Sequence, residues 1–158
     1  MKLMAFVVFG SLLALPVALS AQGGSAEDPL LGTWRLNVAQ SKYRPGPPPK
    51  SQTRTYEKYR DGIRATVRTV YANGRSTTVQ TVYDYDNQEH PVTGSEEVDS
   101  ILMKRVDSRT HEATLTHAGR QVGTFRRVIS ADGKTMRVFD VRQSPVIDNE
   151  EVYEKDEQ

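Results

Sequence analysis

The chain contains no cysteine. That one absence removes disulfides, thiolate nucleophiles and thiolate metal sites together, and with them the lipid anchor that needs a cysteine. A domain without disulfides must stand on its hydrophobic core. Tryptophan is scarce too, with a single residue, Trp34. No charge sign dominates: 21 basic residues face 20 acidic ones, a formal net charge of +1. This balance argues against a broad electrostatic footprint for nucleic acid or an anionic membrane. No stretch shows a sustained helical period, and long apolar runs are missing with one exception.

The exception is at the start. Met1 and Lys2 precede the apolar run Leu3–Leu15, then Pro16 and the small-residue stretch Val17–Ala21. A charged start, an apolar centre of this length and small residues near a cut describe a secretory signal peptide. The run is too short for a transmembrane span, which needs roughly 20 apolar residues. Cleavage is expected after Ala21, with Ser20 the alternative. The expected organisation is a signal peptide over 1–21, a flexible leader over 22–31 and one domain over 32–158. The mature chain is expected to be secreted or periplasmic, with basic and acidic residues equal in number once Lys2 is gone.

Beyond the leader the chain reads as strand after strand. Thr, Val, Tyr and Arg are enriched and side chains alternate in character, which suits a half-buried pleated surface. Strands are predicted at Thr33–Asn37, Thr53–Arg60, Ile63–Ala72, Ser76–Tyr85, Ser100–Val106, Glu112–Thr116, Val122–Ile129, Thr135–Arg142 and Glu151–Lys155. Asp61-Gly62, Asn73-Gly74, Ala118-Gly119 and Asp132-Gly133 supply turn signals between them. Residues 44–50 (RPGPPPK) hold too much proline for a helix or central strand and read as a rigid extended surface loop. A meander of about eight to ten strands leaves two open edges, and closing into a barrel removes them. The fold class is therefore all-β, an antiparallel up-and-down barrel.

Which face points inward stays open. If Asn73-Gly74 is a two-residue turn, Ile63, Ala65, Val67, Thr69 and Tyr71 share a face with Ser76, Thr78, Gln80, Val82 and Asp84. The other face then carries Arg64, Thr66, Arg68 and Val70 with Thr77, Val79, Thr81, Tyr83 and Tyr85. Neither set is cleanly apolar.

Reactive constellations are few. His111 and His117 fall on or beside one strand about 20 Å apart, so they cannot share a metal, and His90 is remote in sequence. The acidic loop Asp84–Glu89 lacks the glycine and spacing of a calcium loop. Glu96, Glu97 and Asp99 read as a solvated loop rather than an acid–base pair. No nucleophile elbow and no phosphate loop is present. No metal, cofactor or catalytic residue is assigned. Arginine is the feature that stands out, 14 of the 21 basic residues. Arg64 and Arg68 on one strand and Arg126 on another, beside Tyr71, Tyr83 and Tyr85, would form an anion or polar-ring site if they point inward.

Leu31-Gly32-Thr33-Trp34-Arg35-Leu36 resembles the G-x-W opening strand of the lipocalin and fatty-acid-binding (calycin) barrels. Val152-Tyr153-Glu154-Lys155 looks like the closing strand of the fatty-acid-binding proteins. Asn37–Pro49, Pro91-Val92-Thr93-Gly94 and Val128–Met136 are similar to runs in a group of uncharacterised bacterial lipocalin-like proteins. The resemblance implies that Trp34 plugs the closed end, with Arg137 or Arg142 packed on its ring. It also implies an arginine two residues before the closing tyrosine to hold a ligand carboxylate. This chain has Glu151 at that place.

Together these readings point to an exported barrel without catalysis that binds a small hydrophobic or amphipathic ligand. A filled barrel serving as an interaction module is the alternative, and an enzyme acting at the barrel mouth comes third. No nucleic-acid partner and no membrane span are expected, and no protein partner is identified.

Overall fold

The computed structural model describes residues 27–143 and 145–157. The expected signal peptide, and the leader up to residue 26, lie outside these residues. Among the described residues, no helix is long and apolar enough to cross a membrane.

Ten strands succeed one another around a closed antiparallel barrel. The first five are β1 (Gly32–Leu36), β2 (Ser51–Tyr59), β3 (Gly62–Val70), β4 (Ser76–Tyr83) and β5 (Glu89–Thr93). The rest are β6 (Ser100–Arg105), β7 (Thr110–His117), β8 (Arg120–Ile129), β9 (Thr135–Gln143) and β10 (Val146–Lys155). Each pairs with its neighbour in sequence, and β1 closes the ring by pairing with both β10 and β2. Closure leaves no free edge to template aggregation. A short 3-10 helix, Val38–Gln40, capped by the Asn37 side chain, turns the chain after β1.

The nine expected strands are all present, and one more joins them. The five residues of β5, Glu89–Thr93, carry Pro91, which argues against a strand on sequence grounds. The structure accommodates it because β5 is short and meets β4 only at Gln80 and Thr81. Gly94 then ends it at φ +80°, where a Cβ would fall 2.0 Å from the Thr78 carbonyl oxygen. The strand β10 also begins earlier than expected, at Val146.

The hairpins explain which face is inside. Ala118-Gly119 is a two-residue turn with both residues at positive φ, as expected. Asn73-Gly74 is not. Tyr71 accepts from the Gly74 N–H and donates to the Arg75 carbonyl, so three residues, Ala72 to Gly74, form the loop. Only Gly74 of these takes the left-handed conformation, at φ +86°. That added loop residue slips the register by one, and a one-residue slip exchanges faces. Ile63, Ala65, Val67 and Thr69 therefore stand opposite Tyr83, Thr81, Val79 and Thr77. This corrects the pairing expected from sequence, and it makes the inward face of this hairpin largely apolar.

Trp34 seals one end and is fully buried, as are Leu30, Met103, Ile129 and Met136 of the same core cluster. Its indole N–H donates to the Leu30 carbonyl at 2.9 Å. Residues 28–31, expected at the end of a flexible leader, instead turn onto this closed end and give Leu30 to the core. The cation over the indole ring is Lys155, at 5.2 Å, rather than an arginine. Arg137 alternates outward between the buried Met136 and Val138 and pairs with Glu150 at 2.6 Å. Arg142 points inward, but two residues beyond Asp140 and four beyond Val138, toward the opposite end.

Trp34→Ala removes the largest side chain of this plug and is expected to cost roughly 3–5 kcal/mol. Denaturant unfolding followed by circular dichroism checks this, and Trp34→Phe should cost clearly less.

Candidate functional site

Above the Trp34 layer the barrel is not filled. A cavity of about 480 Å³ opens at the end opposite the tryptophan. Its apolar wall comes from alternate residues of successive strands, including Ala65, Val67, Val79, Ile101, Leu115, Phe125 and Val138. The proline-rich segment crosses its mouth: Pro45, Pro47 and Pro49 line it together with Tyr71, Arg75 and Val146.

Three arginines enter this interior, and their surroundings differ. Arg54 on β2 pairs with Glu151 on β10 at 2.7 Å, both largely buried. The Tyr153 hydroxyl donates to the same carboxylate at 2.6 Å and lies against the Gln52 side chain. Arg142, nearer the mouth, is held by Asp140 at 3.0 Å and by Glu97 of the β5–β6 loop at 2.7 Å. Each of these guanidinium groups has its counter-charge.

Arg127 has none. It is 1% exposed, lines the cavity, and forms no ion pair among the described residues. Its Nη2 donates to the Tyr83 hydroxyl at 3.3 Å and its Nε to His111 Nδ1 at 3.5 Å. The Tyr56 side chain also lies within hydrogen-bonding reach of the fork. The ring of Tyr56 lies 4.8 Å from the guanidinium carbon and that of Phe125 at 5.9 Å. Arginine stays protonated under these conditions. The site therefore presents a desolvated positive charge, ringed by phenols, to an open cavity.

The surrounding groups respond to that charge. Burial raises the Tyr56 phenol, but Arg127 and Arg54 outweigh it and leave Tyr56 more acidic than an ordinary tyrosine. Burial wins at Tyr83, which is raised despite Arg127. His111, fully buried and stacked on Tyr85 at 5.6 Å, is pushed down to about 3. Burial is the main cause, with Arg127 and Arg105 adding to it and Asp107 opposing. Its ring is neutral at pH 7, with Nδ1 as acceptor and Nε2 buried without a partner.

The residues singled out from sequence divide by parity. Tyr83 is in the site, Tyr71 is at the mouth with Arg75 over its ring at 5.0 Å, and Tyr85 packs edge-on to Tyr83. Arg64, Arg68 and Arg126 lie on the outer face: Arg64 rests on the Tyr59 ring at 3.7 Å, and Arg68 and Arg126 are exposed. The inward arginines are their strand neighbours and partners Arg54, Arg127 and Arg142. The signal that locates Arg127 is its two-residue spacing from Phe125 and Ile129, which holds once β8 is given its inward face. Among the described residues, no cluster of three or more His, Cys, Asp or Glu is poised to hold a metal ion.

Glu151→Gln leaves Arg54 buried without a counter-charge and is expected to cost roughly 3–5 kcal/mol in a denaturant titration. The Arg54→Met/Glu151→Leu double variant should recover most of this in the same titration. For His111, the folded value of about 3 lies below the ordinary 6.5, so the unfolded chain takes up the proton first. Stability is then full above pH 6.5 and falls as the pH drops toward 3, by up to about 1.4 kcal/mol per pH unit. His111→Phe should flatten the slope between pH 6.5 and 5, before most carboxylates titrate.

Comparison of the chain with protein-family models, curated proteins and solved structures returns no match.

Proposed function

We propose that this chain is an exported, lipocalin-like binding barrel, secreted or periplasmic, that holds a small, partly apolar molecule with an anionic head. The reading is carried by Arg127, a cation buried at the floor of a cavity and without a counter-charge among the described residues. Leaving such a group unpaired costs several kcal/mol. A carboxylate or similar anion entering from the mouth would offset that cost, with Tyr56 as an acidified phenol donor beside it. The cavity, at about 480 Å³, falls within the range of roughly 300–1,000 Å³ common for small-molecule sites. Its apolar walls suit the body of an amphipathic ligand. Export rests on the residue pattern of the first 21 residues.

An interaction role has one observation of its own. On the outer face, Leu102, Phe139 and Val141 border a groove of about 360 Å³ flanked by Lys104, Glu112 and Arg126. The unfilled interior favours the binding reading over it. No group in the cavity is assigned a reaction.

The test is native mass spectrometry of the mature chain purified from its own host, with extraction of any bound molecule. A reproducible acidic, partly apolar species is expected, lost at least tenfold in Arg127→Met. That variant should keep its fold and gain thermal stability in the empty state, because an unpaired buried charge has been removed. A clean empty mass, with no thermal shift across a panel of small acids, would overturn the reading.

A further inference from the structure

The upper wall of the barrel has a seam. The ladder between β1 and β2 stops at the Arg35–Thr53 pair, while β2 runs on toward the mouth through Gln52 and Ser51. Beyond β1 the chain follows β10 instead, where Lys42 bridges to Glu150 and the Arg44 carbonyl accepts from the Asp148 N–H at 2.8 Å. It then crosses to β3, where the Lys50 N–H donates to the Val70 carbonyl at 2.8 Å. Among the described residues, Ser51 and Gln52 have no ladder partner on the β1 side. The strap Pro45–Pro49 closes this gap.

The strap is held only at its ends. Four of its five residues are proline, which has no N–H to give to a ladder. Among the described residues, no hydrogen bond involves residues 45–49. Its anchors are the two backbone bonds above, the Arg44 N–H on the Asn149 side-chain oxygen at 2.9 Å, and an exposed Arg44–Asp148 pair at 3.6 Å. Residues 44–48 are exposed, Pro49 is buried, and a Cβ on Gly46 would meet nothing within 4 Å. A segment with few buried contacts and no internal hydrogen bonds opens locally at small cost.

The opposite lip is pinned. The β5–β6 loop buries Val98 in the core cluster, and its Ser95 hydroxyl oxygen accepts from the Glu97 and Val98 N–H groups. Glu97 reaches Arg142 at 2.7 Å. The Asp99 N–H donates to the Thr116 carbonyl at 2.9 Å, and the Asp99 carboxylate accepts from the Ala118 N–H at 2.7 Å. Both lips line the same cavity and differ in how they are fastened.

We infer that the Pro45–Pro49 strap is the gate of the cavity, lifting from the seam to admit the ligand and closing over it again while the β5–β6 loop stays in place. The inference rests on the binding reading above and adds the route by which that ligand exchanges. Pro45, Pro47 and Pro49 line the cavity, so the closed strap gives apolar cover to a seated molecule. A gate that is closed in both the free and the bound state sets the rates of exchange without changing affinity.

The experiment is stopped-flow fluorescence of 1-anilinonaphthalene-8-sulfonate binding to the stripped mature chain and leaving it. Asn149→Ala removes the oxygen that holds the Arg44 N–H. It is expected to raise association and dissociation rates together, by about three- to tenfold, with Kd unchanged. Glu97→Gln loosens the other lip, leaves Arg142 paired with Asp140, and is expected to change neither rate. Circular dichroism checks that both variants are folded. Hydrogen exchange reads the same gate in the unaltered chain: the Arg44, Lys50 and Asp148 amides should exchange about tenfold faster than those of Asp99 and Ala118. Unchanged rates in Asn149→Ala, whether or not Glu97→Gln raises them, or strap-anchor amides as slow as Asp99 and Ala118, would overturn the gate and leave the anion site standing. A probe that does not bind, with no thermal shift from any small acid, would overturn both.

Discussion

Closure of β1 onto β10 is the constraint on which the rest depends. Once Trp34 stands opposite Lys155 on one side and Arg54 on the other, every strand has a fixed inward face, because side chains alternate with a period of two. A closed ring of ten short strands encloses more space than its inward side chains fill. Trp34 and its neighbours pack the lower layer, and the bulky residues run out above it. The cavity is thus a consequence of strand number and of small or branched residues, such as Ala65, Val67, Val79 and Thr81, at mid-height.

Charge is distributed inside this space with one imbalance. Arg54 and Arg142 each meet a carboxylate from another position on the wall, Glu151 and Asp140. These pairs fix the strands' polar positions without leaving a net charge. Arg127 sits deeper, among phenols and a neutral imidazole that is itself held neutral partly by the guanidinium. Among the described residues the polar interior is therefore directional, with an unpaired cation at the floor and paired charges above. An amphipathic molecule would enter past the prolines with its anion leading.

Much of the fold was legible in the sequence, because tight turns and alternation are local signals. Ala118-Gly119 declared its hairpin, and the G-x-W segment marked the plug. The site was harder to read, since facing depends on a single residue of register. Asn73-Gly74 has the composition of a two-residue turn but closes a three-residue loop, with Asn73 kept out of the left-handed region. That shift moved Thr81 and Tyr83 onto the apolar face of β3. The arginines suffered the same parity problem. Arg126 and Arg127 are adjacent, and only the burial of Phe125 and Ile129 on β8 says which one is inside. Pro91 hid β5 for the opposite reason: a general rule about proline yields where the strand is short and the missing donor is not needed.

The most direct test of the central claim is a crystal structure of the mature chain purified, without refolding, from its own host. Electron density for an organic anion is expected in the barrel, with an oxygen about 3 Å from an Arg127 nitrogen and an apolar body reaching toward the mouth. A collapsed interior, with Arg127 paired to Glu151, Asp140 or another protein carboxylate, would contradict it.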